Sequence, residues 1–287
     1  MAYPMLESAL FDKYYYDGQI IDASSDIAKT LRNATDEVTY YETIRILHGC
    51  LLFLEDHMDR LLKSISGIEA FDIDIDFISK ELRSYLSSLN IGDYEGNMRV
   101  VLTKSHTLFH ICEANIPSKD IREAGICTNL LKWERVAPNI KVFRGDYKQA
   151  VADAFLVSTP YGMPYEVLLE DNSDKIYEGS KSNFFVIYGD KVYSAPDEKI
   201  LIGITRRRVL DSLKKAGLTL EIGTFSLEQL IKKGEDVALF VSSTPFDILP
   251  ISSINDIKFN SVNNKNLQEI SHIYAENVDE YISKHLV

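Results

Sequence analysis

The run Phe184-Phe185-Val186-Ile187 constrains this chain most, because it is entered through Glu178-Gly179-Ser180-Lys181-Ser182-Asn183, a stretch of glycine and small polar residues. An apolar run of that length bounded by turn residues predicts a buried strand. Gly179 and the neighbouring hydroxyl residues let the backbone bend sharply just before it. An acid, Glu178, is thereby placed at the mouth of a buried strand. Further on, Leu201-Ile202-Gly203-Ile204-Thr205-Arg206 leads into a predicted helix over 205–215 with Val209, Leu210 and Leu213 on one face. The opening amides of such a helix, at Gly203, Ile204 and Thr205, suit an anion, and a phosphate fits there.

Composition narrows the class of molecule. A chain of 287 residues with 45% hydrophobic and 26% charged residues is long enough for a substantial core and is not a disordered chain. Its formal net charge of -12 argues against nucleic acid, whose binding draws on clustered lysine and arginine. Arg206-Arg207-Arg208 reads as flanking the phosphate helix instead. Cys50, Cys112 and Cys127 are dispersed in apolar contexts, as small buried hydrophobes are, and neither a disulfide framework nor a zinc site is expected. His106 and His110 lack a third ligand nearby, so no metal is expected. No apolar stretch approaches the roughly 18 to 20 residues needed to span a bilayer, and the acidic, tyrosine-rich start does not resemble a signal peptide. The expectation is a soluble cytoplasmic protein.

Apolar periodicity predicts strands over 42–47 and 51–54 with a turn at His48-Gly49-Cys50, then a helix carrying Met58, Leu61, Leu62 and Ile65, a helix over 77–89 and a strand over 98–102. The polar segment 119–125, with Pro117 before it and Gly125 at its end, reads as a linker. Beyond it, strands are expected at 127–131, 165–169, 184–187, 191–194 and 237–242, with helices at 147–157, 206–216 and 266–285. Tight turns at Asn172-Ser173-Asp174 and Gly189-Asp190 favour local antiparallel pairing over a doubly wound nucleotide fold. The expected fold class is α+β, with a small N-terminal domain over 1–118 and a larger domain over 126–287.

Three strings, in order, carry a family resemblance. They are Tyr41-Glu42-Thr43-Ile44-Arg45 leading to His57-Met58-Asp59-Arg60-Leu61; Lys141 followed by Glu178-Gly179-Ser180-Lys181-Ser182-Asn183 and Gly203-Ile204-Thr205-Arg206; and Phe240-Val241-Ser242-Ser243-Thr244 ending at Leu249-Pro250-Ile251. The chain resembles the class IV, or fold type IV, aminotransferases, which comprise branched-chain and D-amino-acid aminotransferases and aminodeoxychorismate lyase. The resemblance implies a two-domain fold type IV enzyme using pyridoxal 5'-phosphate. Such a cofactor needs an amine for its aldehyde, an acid facing its pyridine nitrogen and a phosphate site. Lys141 resembles the family's strand-end lysine, with Lys148 as the competing candidate. Glu178 resembles the acid that keeps the ring nitrogen protonated. Arg60 resembles the phosphate-binding arginine. Ile204, Thr205, Ser243 and Thr244 fall where the family places further cofactor contacts. On the substrate side, Tyr41 and Arg99 are candidates, and Tyr40 and Arg45 lie close by in sequence; strand alternation allows only some of these to line a pocket.

The implied function is transfer of an amino group between an amino acid and a 2-keto acid by a branched-chain-aminotransferase-like enzyme acting as a homodimer. The alternatives are aminodeoxychorismate lyase and a non-catalytic cofactor binder. Donor, acceptor and stereochemistry stay open at this level. The chain departs from the family at Pro245-Phe246-Asp247, where small residues and a glutamate are usual, which suggests added bulk near the cofactor phosphate or the pocket rim. It departs again at Thr103-Lys104-Ser105-His106, which does not reproduce the carboxylate trap of the D-amino-acid enzymes.

Overall fold

A computed structural model describes residues 3–7, 9–66, 74–142 and 144–286. The chain divides into two compact units, Met1–Ile116 with Ile140–Asp146 and Val278–Val287, and Pro117–Asn139 with Tyr147–Asn277. Lys141 therefore belongs to the first unit, whereas the sequence reading put it in the larger domain. The cause is local: the Tyr41 amide donates to the Lys141 carbonyl at 3.2 Å, and Tyr40 bridges to Val142.

The first unit is built on a six-stranded antiparallel sheet in the order Gln19–Asp22, Ala9–Tyr16, Thr107–Cys112, Gly96–Leu102, Tyr40–Leu47, Cys50–Leu51. Helices Leu54–Ile65 and Ile75–Ser88 supply Leu54, Met58, Leu61, Ile78, Leu82 and Tyr85 to a core shared with Ile44, Ile46, Met98 and Phe109 of the sheet. Asp74 starts the second of these helices by accepting from the amides of Asp76 and Phe77. The strand expected over 51–54 stops at Leu51. Phe53 takes a left-handed backbone with φ 54° and turns the chain into the helix at Leu54, whose first turn carries Glu55 and Asp56.

The second unit holds a nine-stranded mixed sheet. Its path runs Ile176–Gly179, Glu166–Glu170, Ile126–Lys132, Asp247–Ile254, Val237–Ser243, Asn183–Tyr188, and a pairing of Glu178 with Asn183 closes those strands into a ring. Lys191–Ser194 and Thr219–Ile222 extend the sheet beyond the ring. The Phe184 run is strongly apolar because both of its faces are covered: Phe184 and Val186 enter one core with Leu239 and Val241, while Phe185 stacks on Phe240 at 4.6 Å. The segment read as a linker is the helix Lys119–Ala124. Ser118 caps it through the Ile121 amide, and Gly125, at φ 74°, ends it.

Candidate active site

The residues singled out in the sequence fall into two groups, one in each unit. In the first, alternation along Tyr40–Leu47 points Glu42 at the helix-covered core, where it is fully buried. His57 and Arg60 lie three residues apart on Leu54–Ile65 and so share the face turned to it. Arg60 grips Glu42 with Nε to Oε1 at 2.7 Å and Nη2 to Oε2 at 2.6 Å, and His57 Nδ1 lies 2.8 Å from Oε2. Burial opposes ionisation of Glu42, but the Arg60 guanidinium, then the Lys141 ammonium and the hydrogen bonds, hold its carboxyl well below the usual range. Burial, opposed by Glu42, also holds His57 below its ordinary value, so the ring is neutral; its Nε2 is buried without a hydrogen-bond partner.

On the opposite face of the strand, the Tyr41 ring centroid lies 5.2 Å from Lys141 Nζ and 5.1 Å from the Arg99 guanidinium carbon. Lys141, Tyr41 and Arg99 are thus brought together, whereas Lys148 is exposed on the helix Gly145–Phe155. Arg45, on the same strand, is buried and paired with Glu95.

In the second unit, Glu178 sits at the seam of the ring, opposite Asn183. Both side chains hold one backbone unit: Glu178 Oε2 accepts from the Leu201 amide at 3.2 Å, and Asn183 Nδ2 donates to the Leu201 carbonyl at 2.8 Å. This double hold joins the strand turn to the helix Ile204–Lys215. Gly203 precedes that helix with no side-chain cap, and a Cβ there would lie 2.2 Å from Asn183 Oδ1. Ile204 and Thr205 are buried at the helix start. Ser243 donates its hydroxyl to the Lys181 carbonyl at 2.6 Å, and Thr244 opens the following turn, half-buried. Phe246 carries its bulk into the core at 1% exposure, edge-on to Tyr165, rather than to a pocket rim. Arg206 is buried and paired with Asp197 at 2.8 Å.

Two charged neighbours of Glu178 escape a sequence reading. Glu166 is fully buried and accepts from Ser180 Oγ at 2.5 Å, from the Ser180 amide at 3.2 Å and from Ser182 Oγ at 2.8 Å. It explains Gly179: a Cβ there would meet Ser182 Oγ at 2.0 Å and Glu166 Oε2 at 3.1 Å, so close packing demands the glycine. The signal was a lone charge inside the apolar run at 165–169. Arg135 places Nε 3.0 Å from Glu178 Oε1, and no periodic pattern marks it.

Burial pushes the Glu178 carboxyl up to about 7, against the pull of Arg135 and the Leu201 amide and with a further push from Glu166. Its Oε1 is buried and accepts no directed hydrogen bond, the Arg135 contact being an ion pair in which the N–H does not point along the axis. Such an oxygen is ready to accept from a cationic ring N–H. With the uncapped helix start and the glycine-lined approach at 203, the donor set fits a phosphorylated aromatic cofactor.

Residues 39–254 match the family of amino-transferase class IV, and the chain belongs to that family. The D-alanine aminotransferase of Bacillus licheniformis is 25% identical over 234 residues, covering 75% of this chain and 78% of that protein. The aminodeoxychorismate lyase of Bacillus subtilis (strain 168) is 23% identical over 84% of this chain and 86% of its own. The branched-chain aminotransferase of Thermoproteus uzoniensis, solved with norvaline, superposes with a TM-score of 0.76 at 21% identity, over 96% of this chain and 97% of that one. The architecture is that of the fold type IV enzymes.

Proposed function

We propose that the chain is a pyridoxal 5'-phosphate-dependent aminotransferase that moves an amino group between an amino acid and a 2-keto acid. The observation that carries this reading is the fully buried Glu178, whose Oε1 has no hydrogen-bond partner among the described residues, tied through Leu201 to an uncapped helix start. When bound, the cofactor supplies an aldehyde for the amino group and a ring that takes up the electron pair released at the substrate Cα. Glu178 holds the proton at the ring nitrogen. In the second unit the amides of Ile204 and Thr205, with Ser243 and Thr244, would hold the phosphate; in the first, Arg60, whose fork Glu42 fixes, is the cation that the family resemblance assigns to it. Lys141 would hold the cofactor's aldehyde end and would take the proton from the substrate Cα; its place beside Tyr41 supports it over the exposed Lys148. Tyr41 and Arg99 form the substrate side, with Arg99 receiving a carboxylate.

The protein acts in the cytoplasm as a homodimer. Among the described residues no helix is long and apolar enough to cross a membrane, and Cys50, Cys112 and Cys127 are free thiols, which supports a reducing compartment.

The test is to load the protein with pyridoxal phosphate and offer D-alanine, L-branched-chain amino acids and L-glutamate with a 2-keto acid, and aminodeoxychorismate alone. Keto-acid formation matched by a new amino acid is the expected result and names donor and stereochemistry. Pyruvate release from aminodeoxychorismate alone would make the chain a lyase like its Bacillus subtilis relative, and failure to take up the cofactor would sink the reading.

A further inference from the structure

Arg135 is held in a fixed place by groups that have no charge of their own. Its Nη2 donates to the Ser180 carbonyl at 2.7 Å and to the Tyr147 hydroxyl at 2.9 Å, and its guanidinium carbon lies 4.8 Å from the Tyr147 ring centroid. Tyr147 in turn donates to the same Ser180 carbonyl at 2.6 Å. The remaining edge of the guanidinium faces Glu178, with Nε 3.0 Å from Oε1. Ser180 also joins the second buried carboxylate to this arrangement, since its hydroxyl and amide donate to Glu166. The groups around Glu178 are therefore Arg135, Glu166, the phenol of Tyr177, the Leu201 amide and Asn183 across the seam, with Tyr147 one step removed on Arg135.

We propose that Arg135 is a positioning residue for Glu178: tethered through Ser180 and Tyr147, it favours the ionised form of the buried carboxylate and aims it, while directing no hydrogen bond at Oε1. A bidentate grip, of the kind Arg60 has on Glu42, directs a hydrogen bond at each oxygen and holds that carboxyl well below the usual range. The Arg135 contact is weaker and undirected: it supplies positive potential at the carboxylate while no hydrogen bond is directed at Oε1. The inference rests on the reading of Glu178 as the acid that faces the cofactor ring, but the coupling itself exists in the protein alone and is tested there.

The experiment is the unfolding midpoint of cofactor-free protein across the pH range, in the wild type, Arg135→Gln, Arg135→Lys, Glu178→Gln and Arg135→Gln/Glu178→Gln. A carboxyl raised by folding contributes stability that is complete below its unfolded value and lost as pH rises through its folded value, so the wild type loses stability as pH climbs towards about 7. Removing the cation in Arg135→Gln moves the end of that loss upward by about 1–3 pH units. Arg135→Lys, which keeps the charge without the planar fork, moves it by less. Glu178→Gln abolishes the limb in either background. A merely structural arginine would lower the midpoint equally at every pH and leave the limb in place, and that result overturns the proposal. If Arg135→Gln does not fold at neutral pH, the proposal requires that low pH or the added Glu178→Gln restore folding; failure of both overturns it. A chain in which the coupling holds but pyridoxal phosphate does not bind would sink the functional reading and leave this inference standing.

Discussion

Glu42 and Glu178 are both fully buried carboxylates, and their partners send them in opposite directions. Glu42 has a bidentate guanidinium and a histidine, and it stays charged; Glu178 has one undirected cation and a neighbouring acid, and its proton is exchangeable near neutrality. Burying a charge pair and then removing one partner costs about 3–5 kcal/mol, so Glu42→Gln should lower the free energy of unfolding by that order at pH 7. A depressed carboxyl stabilises the fold above its unfolded value and ceases to do so as pH falls, so the same variant should also flatten the acid limb of the stability profile. Denaturant titrations at pH 7 and pH 3 check both; an unchanged acid limb would show that Glu42 is not ionised in the fold. For the amine, borohydride should fix the cofactor on Lys141, with Lys141→Ala abolishing both label and turnover. Lys148→Ala, an exposed change worth within about 0.5 kcal/mol, should leave kcat within about twofold. Peptide mapping that finds the label on Lys148 would reverse the assignment. Both acids stand in the strings that carry the family resemblance, yet the sequence offers no means of separating a carboxylate held charged from one whose proton exchanges near neutrality, because that difference lies in partners brought from Leu54–Ile65 in one case and from residue 135 in the other.

At the scale of elements, what was legible followed burial. The strands Asn183–Tyr188 and Val237–Ser243 were legible because both faces are covered, which writes an unbroken apolar run. The strand Ala9–Tyr16 was not expected, because exposed Phe11, Asp12 and Lys13 interrupt its pattern and its pairing with Thr107–Cys112 is irregular. The helix Lys119–Ala124 was read as linker because it buries no residue, although Ser118 and Gly125 were the cap signals that mark its ends. The turn into Ile204–Lys215 was legible in outline, but the reason for Gly203 was not, since it depends on Asn183 from a distant strand. Gly203→Ala should push Asn183 off the Leu201 carbonyl, cost about 1–3 kcal/mol of stability and weaken cofactor affinity about tenfold. In an Asn183→Ala background the same change should cost less, because the clash is gone. Equal costs in both backgrounds, read by thermal unfolding and fluorescence titration, would remove Asn183 from the explanation.

For the whole molecule, the strongest sign of association is a helix with no fully buried residue. Gly145–Phe155 has no buried residue, and the chain leaves it through Leu156 at 76% exposure and Val157 at 61%, with Met163 at 56% shortly after. Scattered apolar side chains are ordinary on a surface, but successive large ones beside a helix whose inner face, Tyr147, Ala150, Val151, Ala154 and Phe155, is only half-buried are what an association surface predicts. With a formal net charge of -12, two copies repel at long range, so apolar contact must supply the attraction and added salt should strengthen the pair. Sedimentation at micromolar concentration should then give about twice the 32.6 kDa chain mass, and more completely at higher ionic strength. Leu156→Asp with Val157→Asp should release monomers whose unfolding midpoint no longer rises with protein concentration. A wild-type chain that sediments as a monomer while keeping full cofactor occupancy and turnover would refute the dimer, and a double variant that stays dimeric would place the interface on another face.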